Sequence, residues 1–159
     1  MAYHVGRALK TAKKVGKKVK YAGEVGVAAA RLKARVSNPV NQVKFVKNAA
    51  KGKGFVLPGS KYIGPGNEMN KGKPVDLADA NAYQHDVDYD NYIKKGVSKR
   101  KVYTGWSDAD KRLMKKTPLN TPNGLAVNLG MGAKKLAYKA GLTSRIRDKD
   151  VYGGQQIHG

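Results

Sequence analysis

Two short stretches of the sequence carry residue types that could do chemistry together. His85 and Asp86 are adjacent, and an imidazole can take up a proton near neutral pH while a carboxylate can bind a cation. Residues 62–67, here called the glycine loop, have a proline between two glycines, so the backbone can bend sharply and turn carbonyl oxygens inward. Calcium needs several oxygen ligands, and most could come from the Asp86 carboxylate and the backbone carbonyls of Tyr62, Gly64 and Gly66. Either stretch alone is more often purely structural, so the prediction depends on reading them as one site.

Local sequence features place His85 and Asp86 on one helix. Asp76 is a candidate N-cap, Pro74 prevents an earlier start, and Gly96 can end the helix. We therefore expect a helix over residues 77–94. Residues spaced by four and three positions share one face, which here consists of Ala78, Ala82, His85, Tyr89 and Tyr92. Asp86 lies about 100° further round the helix and can point toward the glycine loop.

Two further helices are expected after this one. Ser107 can act as an N-cap with Asp110 three positions later, which is the spacing of a capping box. Taken alone, these residues make Asp110 a capping acid and nothing more. A last helix should start at Thr121-Pro122. These helices predict an all-α domain, followed by a flexible, charge-rich tail over residues 144–159.

The composition narrows the class of protein. The chain has 159 residues, 32 basic and 11 acidic, with a net charge of +21, so a polyanionic partner such as a membrane or nucleic acid is expected. Cysteine is absent, which excludes a fold held together by disulfides. No convincing secretory signal is present, and no apolar run is long enough to span a bilayer.

Residues 1–54 form a basic arm with 14 Lys or Arg and one Glu, a net charge of +13. Apolar residues spaced three or four apart predict an amphipathic helix, although its glycines favour partial disorder. Three interpretations remain open: binding nucleic acid, lying on an anionic membrane, or serving as a nuclear import signal. A solvated, partly disordered arm is the fourth. Residues 51–54 have the composition of a linker.

The glycine loop, the Pro74-Val75-Asp76 segment and the His85-Asp86-x-x-Tyr89 motif together resemble a known family. They are similar to the phospholipase A2 domain in the unique N-terminal region of parvovirus minor capsid proteins, over about residues 55–143. The resemblance implies a small phospholipase A2-like fold with two main antiparallel helices and a bound calcium ion. It also implies that His85 is the general base, with Asp110 as the second catalytic acid, Asp108 in reserve, and Tyr89 bonded to that acid. The separation of His85 and Asp110 is somewhat longer than in adeno-associated virus.

The same resemblance implies hydrolysis of the sn-2 ester of membrane glycerophospholipids. It places the protein in a virion, where it would contact other capsid subunits and breach the host endosomal membrane during entry. A nuclear import signal in the basic arm would add the host nucleus as a further location. Two alternatives remain. One is a catalytically idle module that binds nucleic acid or has a structural role in the capsid. The other is a membrane-disrupting basic peptide whose activity lies in residues 1–36.

Overall fold

A computed structural model describes residues 2–50, 54 and 56–153 of the chain. Three parts of the chain named in the predictions lie outside the described residues: residues 51–53 of the predicted linker at 51–54, the boundary residue Phe55, and residues 154–159 at the end of the predicted tail. The long and middle-sized helices are α1 (Ala2–Ser37), α2 (Pro39–Ala50), α3 (Leu77–Lys94), α5 (Asp108–Lys116) and α6 (Pro122–Lys139). The short elements are α4 (Lys99–Thr104), α7 (Asp148–Tyr152) and the two-residue strands β1 (Trp106–Ser107) and β2 (Arg145–Ile146). The described part of the chain is therefore predominantly helical, as the sequence predicts.

Helix α3 has the predicted bounds. The Asp76 side chain accepts a hydrogen bond from the backbone N–H of Asp79 at 2.9 Å, which satisfies a donor in the first turn. At the other end, Gly96 has a φ of +98°, a conformation that residues with a Cβ rarely adopt. All members of the predicted inward face are buried: Ala78, Ala82, His85, Tyr89 and Tyr92.

The core consists of two apolar clusters that share α3. The first joins α3 to the glycine loop, α5 and α6, and contains Tyr62, Ile63, Ala78, Ala82, Leu113 and Val127. The second lies toward the C-terminal end of α3 and contains Tyr89, Tyr92, Val102, Ala109 and Ile146. Because its buried face contributes to both clusters, α3 is the central element, and His85 lies between the two.

The chain after residue 143 differs from the predicted flexible tail. Strand β2 pairs in parallel with β1, Trp106 opposite Arg145 and Ser107 opposite Ile146, and Ile146 is buried in the second cluster. Asp148 accepts a hydrogen bond from the Tyr92 hydroxyl at 2.5 Å and forms an ion pair with Arg112. Residues 144–152 therefore belong to the packed domain, because apolar burial and two polar contacts hold them there.

The described part of the basic arm is mostly helical, and the second half of α1 is docked on the domain. Ala28 and Leu32 are buried, and Tyr21 accepts a hydrogen bond from the backbone N–H of Leu119 at 2.9 Å. Arg35 donates to Asn123 Oδ1 at 2.8 Å and to the carbonyl of Pro58 at 3.1 Å. These contacts join α1 to the segment before the glycine loop and to the start of α6. Within the described residues, none of the helices has the length and apolar character needed to cross a membrane.

Candidate active site

A cavity of about 290 Å³ opens beside the middle of α3. The glycine loop forms one wall through Tyr62, Gly64 and Pro65, α3 forms the floor, and α6 forms the opposite wall. Most of the lining is apolar, and the polar groups are concentrated at three side chains: His85, Asp86 and Lys134. An apolar cleft with a few convergent polar groups is the usual form of a site for a small molecule or a lipid chain.

The His85 side chain is hydrogen-bonded to Asp110. Its Nε2 lies 2.7 Å from Asp110 Oδ1, and both side chains are buried. The other ring nitrogen, Nδ1, lies 3.9 Å from Asp86 Oδ1. Burial lowers the pKa of His85, but hydrogen bonds to Asp110 and Asp86 and the charges of both carboxylates outweigh it, so the pKa is raised. A carboxylate on Nε2 favours the tautomer with the proton on that nitrogen and leaves Nδ1 free to accept one.

Asp110 accepts hydrogen bonds on both oxygens. Tyr89 donates its hydroxyl to Oδ1 at 2.5 Å, beside the contact from His85. Lys134 Nζ donates to Oδ2 at 2.9 Å, and the backbone N–H of Ser107 donates to the same oxygen at 2.8 Å. Burial would raise the pKa of the Asp110 carboxyl, but His85, Lys134 and Tyr89 together lower it to about 2. Asp110 is therefore a stable anion at neutral pH.

Asp110 is both the acid of the predicted capping box and the predicted partner of His85. Ser107 Oγ accepts a hydrogen bond from the backbone N–H of Asp110, and the Asp110 carboxylate accepts one from the Ser107 backbone N–H. The reserve candidate Asp108 is engaged elsewhere. It accepts from the Asp148 backbone N–H at 2.8 Å and forms an ion pair with Arg145, so its contacts lie with the C-terminal segment.

Asp86 lines the cavity and has one side-chain oxygen without a hydrogen-bond partner in the described part of the chain. Among the described residues, Asp86 Oδ2 is a buried side-chain oxygen for which no hydrogen-bond donor is found. Burial raises the pKa of the Asp86 carboxyl, and His85 and Lys71 lower it only in part. A buried carboxylate oxygen without a partner is costly unless a cation or a proton meets it. The Asp86 carboxylate therefore fits the role of an oxygen ligand for a metal ion.

Some of the backbone carbonyls of the glycine loop are also placed to bind a metal ion. Gly64 has a φ of +136° and its carbonyl accepts a hydrogen bond from Asn67 Nδ2 at 2.7 Å, which leaves a second lone pair. Tyr62 and Gly64 line the cavity. The carbonyl oxygen of Gly66 instead lies against Gly54, so close that a Cβ added to Gly54 would be 2.4 Å from that oxygen. In the described part of the chain, no group of three or more His, Cys, Asp or Glu side chains could hold a metal ion. A cation here would therefore depend on backbone oxygens.

Asp79 fixes the glycine loop to α3. Its fully buried carboxylate accepts backbone N–H groups from Lys61 at 3.0 Å, Tyr62 at 2.7 Å and Val75 at 3.0 Å. The sequence pattern did not single out Asp79. Its role in positioning Tyr62 was missed, because the loop donors are contributed by residues earlier in the chain.

Lys134 is a second residue of the site that the sequence pattern did not single out. Besides Asp110, it donates to the Tyr89 hydroxyl and to the carbonyl of Val102, and its Nζ lies 4.7 Å from the centre of the Tyr89 ring. Only 11% of its side chain is exposed, and that burial lowers its pKa. The one available clue was its helical spacing from Val127 and Met131, which places it on the inward side.

A buried histidine on α3 is paired with a buried aspartate on α5 and faces a glycine loop across an apolar cavity. This arrangement defines a candidate hydrolytic site of the phospholipase A2 type. Comparison with known families agrees, since the family model "Phospholipase A2-like domain" matches residues 53–134. The chain belongs to this family.

Parvovirus capsid proteins are similar to this chain over part of its length. The chain is 44% identical over 69 residues to capsid protein VP1 of porcine parvovirus (strain NADL-2), which is 43% of this chain and 9% of that protein. It is 45% identical over 65 residues to VP1 of hamster parvovirus H1, 41% of this chain and 8% of that protein. For VP1 of feline panleukopenia virus the identity is 40% over 65 residues, again 41% of this chain and 8% of that protein. The chain thus matches less than a tenth of the length of these relatives. No solved structure gives a significant match.

Proposed function

We propose that this chain is a calcium-dependent phospholipase A2 that hydrolyses the sn-2 ester of membrane glycerophospholipids. The observation that carries the proposal is the position of His85. Its Nε2 is bonded to Asp110, and its Nδ1 is beside Asp86 in a cavity lined mainly by apolar side chains. Such a cavity can accept an acyl chain while the free nitrogen accepts a proton.

In this proposal His85 is a general base that acts on water. Neutral His85 accepts a proton at Nδ1 from a water molecule as the water oxygen attacks the sn-2 carbonyl carbon. Asp110 keeps the Nε2 proton in place and stabilises the imidazolium that forms. The same proton then returns from Nδ1 to the departing alkoxide of the lysophospholipid. No covalent bond to the protein is needed.

Tyr89 and Lys134 act on Asp110 in this mechanism. Tyr89 donates to the oxygen that also faces His85, and burial together with the Asp110 charge raises its pKa, so the hydroxyl stays protonated. Lys134 donates to the other oxygen at 2.9 Å. Asp110 is thereby fixed in one orientation, which keeps the imidazole from rotating between turnovers.

The residues that would hold calcium are Asp86 through its carboxylate and Tyr62, Gly64 and Gly66 through their backbone carbonyls. The unpartnered Asp86 Oδ2 supports this assignment most directly. When bound, calcium supplies positive charge for the substrate phosphate and for the oxyanion at the attacked carbonyl. Gly66 does not line the cavity and its carbonyl lies close to Gly54, so it is the ligand with the least structural support.

The relatives suggest the biological setting. Because the similar proteins are parvovirus capsid proteins, we propose that this domain is part of a capsid protein, and that other capsid subunits are its partners. Within a virion, hydrolysis of the host endosomal membrane would help the particle to cross it.

The test is release of fatty acid from phospholipid vesicles labelled at sn-1 or sn-2. Wild type should release the sn-2 chain in calcium and not in chelator. His85→Ala and Asp86→Asn should each lose activity while keeping the helical circular dichroism spectrum. Asp90→Asn is the matched control, because Asp90 is on the same helix and is exposed. Folded wild-type protein without sn-2 release across a calcium titration would refute the proposal.

A further inference from the structure

The first half of α1 is exposed along its length in the described part of the chain. Every residue from 5 to 20 is exposed, and this segment is called the free half of α1. Its apolar side chains are unusually accessible, from 53% for Val15 to 67% for Val19. The second half of the same helix is docked on the domain, as described above. One continuous helix therefore has a docked half and an exposed half.

The free half separates apolar and cationic residues onto two sides. At about 100° per residue, its apolar side chains fall within an arc of about 120°; they are Val5, Ala8, Leu9, Ala12, Val15 and Val19. All the cations fall in the remaining part of the circle, namely Arg7, Lys10, Lys13, Lys14, Lys17, Lys18 and Lys20. No acidic residue precedes Glu24. The side chains on the apolar arc are called the apolar stripe.

The apolar stripe faces away from the domain. The docked side of the second half contains Tyr21, Glu24, Ala28, Leu32 and Arg35. Continued toward the N-terminus at about 100° per residue, that side becomes the cationic side of the free half. The stripe lies on the opposite side of the helix, where the domain cannot cover it.

We propose that the free half of α1 is a docking surface for an anionic lipid bilayer. The apolar stripe would enter the boundary between headgroups and acyl chains, and the flanking lysines would contact anionic headgroups. A helix with a basic polar side and an aliphatic opposite side has the form that lies in the plane of a membrane surface. The seven cations are complementary to an anionic leaflet.

Binding to a nucleic acid would account for fewer of the exposed side chains than binding to a bilayer. Binding to phosphates uses the positive charges alone, and it would leave Val5, Leu9, Val15 and Val19 in water. A bilayer accounts for both sides of the helix. The free half also lies outside the residues that match the phospholipase A2-like family, so this surface does not depend on the proposed hydrolysis.

The experiment is sedimentation of the full chain with vesicles of phosphatidylcholine, with and without phosphatidylserine, in chelator so that lipid is not hydrolysed. One variant removes the stripe and keeps the charge, by Val5→Gln, Leu9→Gln, Val15→Gln and Val19→Gln. A second removes charge and keeps the stripe, by Lys10→Gln, Lys13→Gln, Lys14→Gln and Lys17→Gln. The matched control carries the same charge loss at exposed lysines elsewhere, by Lys44→Gln, Lys99→Gln, Lys115→Gln and Lys149→Gln. Circular dichroism checks that each variant keeps its helices.

Wild type should bind phosphatidylserine vesicles at least tenfold more tightly than phosphatidylcholine vesicles. Each cation near an anionic surface adds roughly 1 kcal/mol, so the charge variant should lose on the order of 100-fold or more. The stripe variant should lose roughly tenfold or more, and the control should stay closest to wild type.

Two results would overturn the proposal. In the first, the stripe variant keeps full vesicle binding and only the charge variant loses it, together with binding to a DNA duplex; the surface is then electrostatic and suits nucleic acid. In the second, wild type sediments as a dimer in analytical ultracentrifugation and the stripe variant as a monomer, with vesicle binding equal in both; the occupant is then a second copy of the chain.

Discussion

Replacing Lys134 by methionine tests the reasoning about the buried charges around Asp110. Methionine keeps an unbranched side chain of similar length and good helix propensity, so α6 should persist. The substitution removes donors to Asp110 Oδ2, the Tyr89 hydroxyl and the Val102 carbonyl. Lys135→Met is the matched control, because Lys135 is the next residue on the same helix and is exposed.

The size of the effect depends on the hydrogen bonds that Asp110 retains in the Lys134→Met variant. A hydrogen bond to a charged group contributes about 1.5–3 kcal/mol, and Asp110 retains His85, Tyr89 and the Ser107 backbone N–H. The cost of burying the Lys134 ammonium, which lowers its pKa, offsets part of what its hydrogen bonds contribute. We therefore expect a loss of about 2 kcal/mol in the free energy of unfolding. For a domain of this size that lowers the Tm by roughly 6 °C.

Thermal and urea unfolding measure that loss without reference to catalysis. In the vesicle assay, kcat should fall on the order of tenfold or more, because a less firmly oriented Asp110 positions His85 less well. The KM should change by less than twofold, since the apolar lining of the cavity remains. If Lys134→Met and Lys135→Met have the same Tm and the same kcat, the role assigned to the buried ammonium is wrong.

Three other substitutions test separate parts of the structure. Asp79→Asn should cost about 2 kcal/mol and speed amide hydrogen exchange at Lys61 and Tyr62, whose N–H groups it accepts; unchanged exchange would contradict the anchoring role. Ile146→Ala should cost roughly 2–4 kcal/mol in urea unfolding, whereas a flexible segment would give no loss. Asp110 has a folded pKa of about 2 against about 3.9 when unfolded. Its stabilisation of roughly 2.6 kcal/mol, at about 1.36 kcal/mol per pKa unit, should be complete above about pH 5 and disappear as the pH falls through 2. Urea unfolding from pH 7 to pH 2 should therefore show a shallower pH dependence for Asp110→Asn than for wild type; equal slopes would refute the assignment.

Much of α3 could be predicted because its determinants are local. The N-cap Asp76, the preceding proline and Gly96 at its end all act within a few residues, and the spacing of buried positions follows from helix geometry. The capping box at Ser107 and Asp110 was predicted for the same reason. The contact between His85 and Asp110 is different, because nothing in the local pattern brings two helices together. The resemblance to a family supplied that expectation.

The features that were missed depend on contacts between distant segments. Lys134 is one of several lysines on a basic chain, and it is buried by the approach of α3, α4 and α5. The charge-rich composition after residue 143 favours a solvated tail, yet Asp148 meets Tyr92 and Arg112 from two other helices. Composition describes a residue's preference in water, whereas these residues are stabilised by specific partners that composition does not identify.

Asp110 belongs to the capping box of α5 and also binds His85. It therefore links the stability of the domain to the geometry of the candidate active site. Ser107 and Lys134 occupy Oδ2, so only Oδ1 is left to face His85 and Tyr89. The start of α5 therefore fixes the rotation of the same carboxylate that orients the imidazole. Within a domain that has no disulfides, this arrangement supplies rigidity from a local helix cap rather than from a covalent link. Any change that frays the first turn of α5 must then also loosen His85, and the two properties cannot be altered independently through this residue.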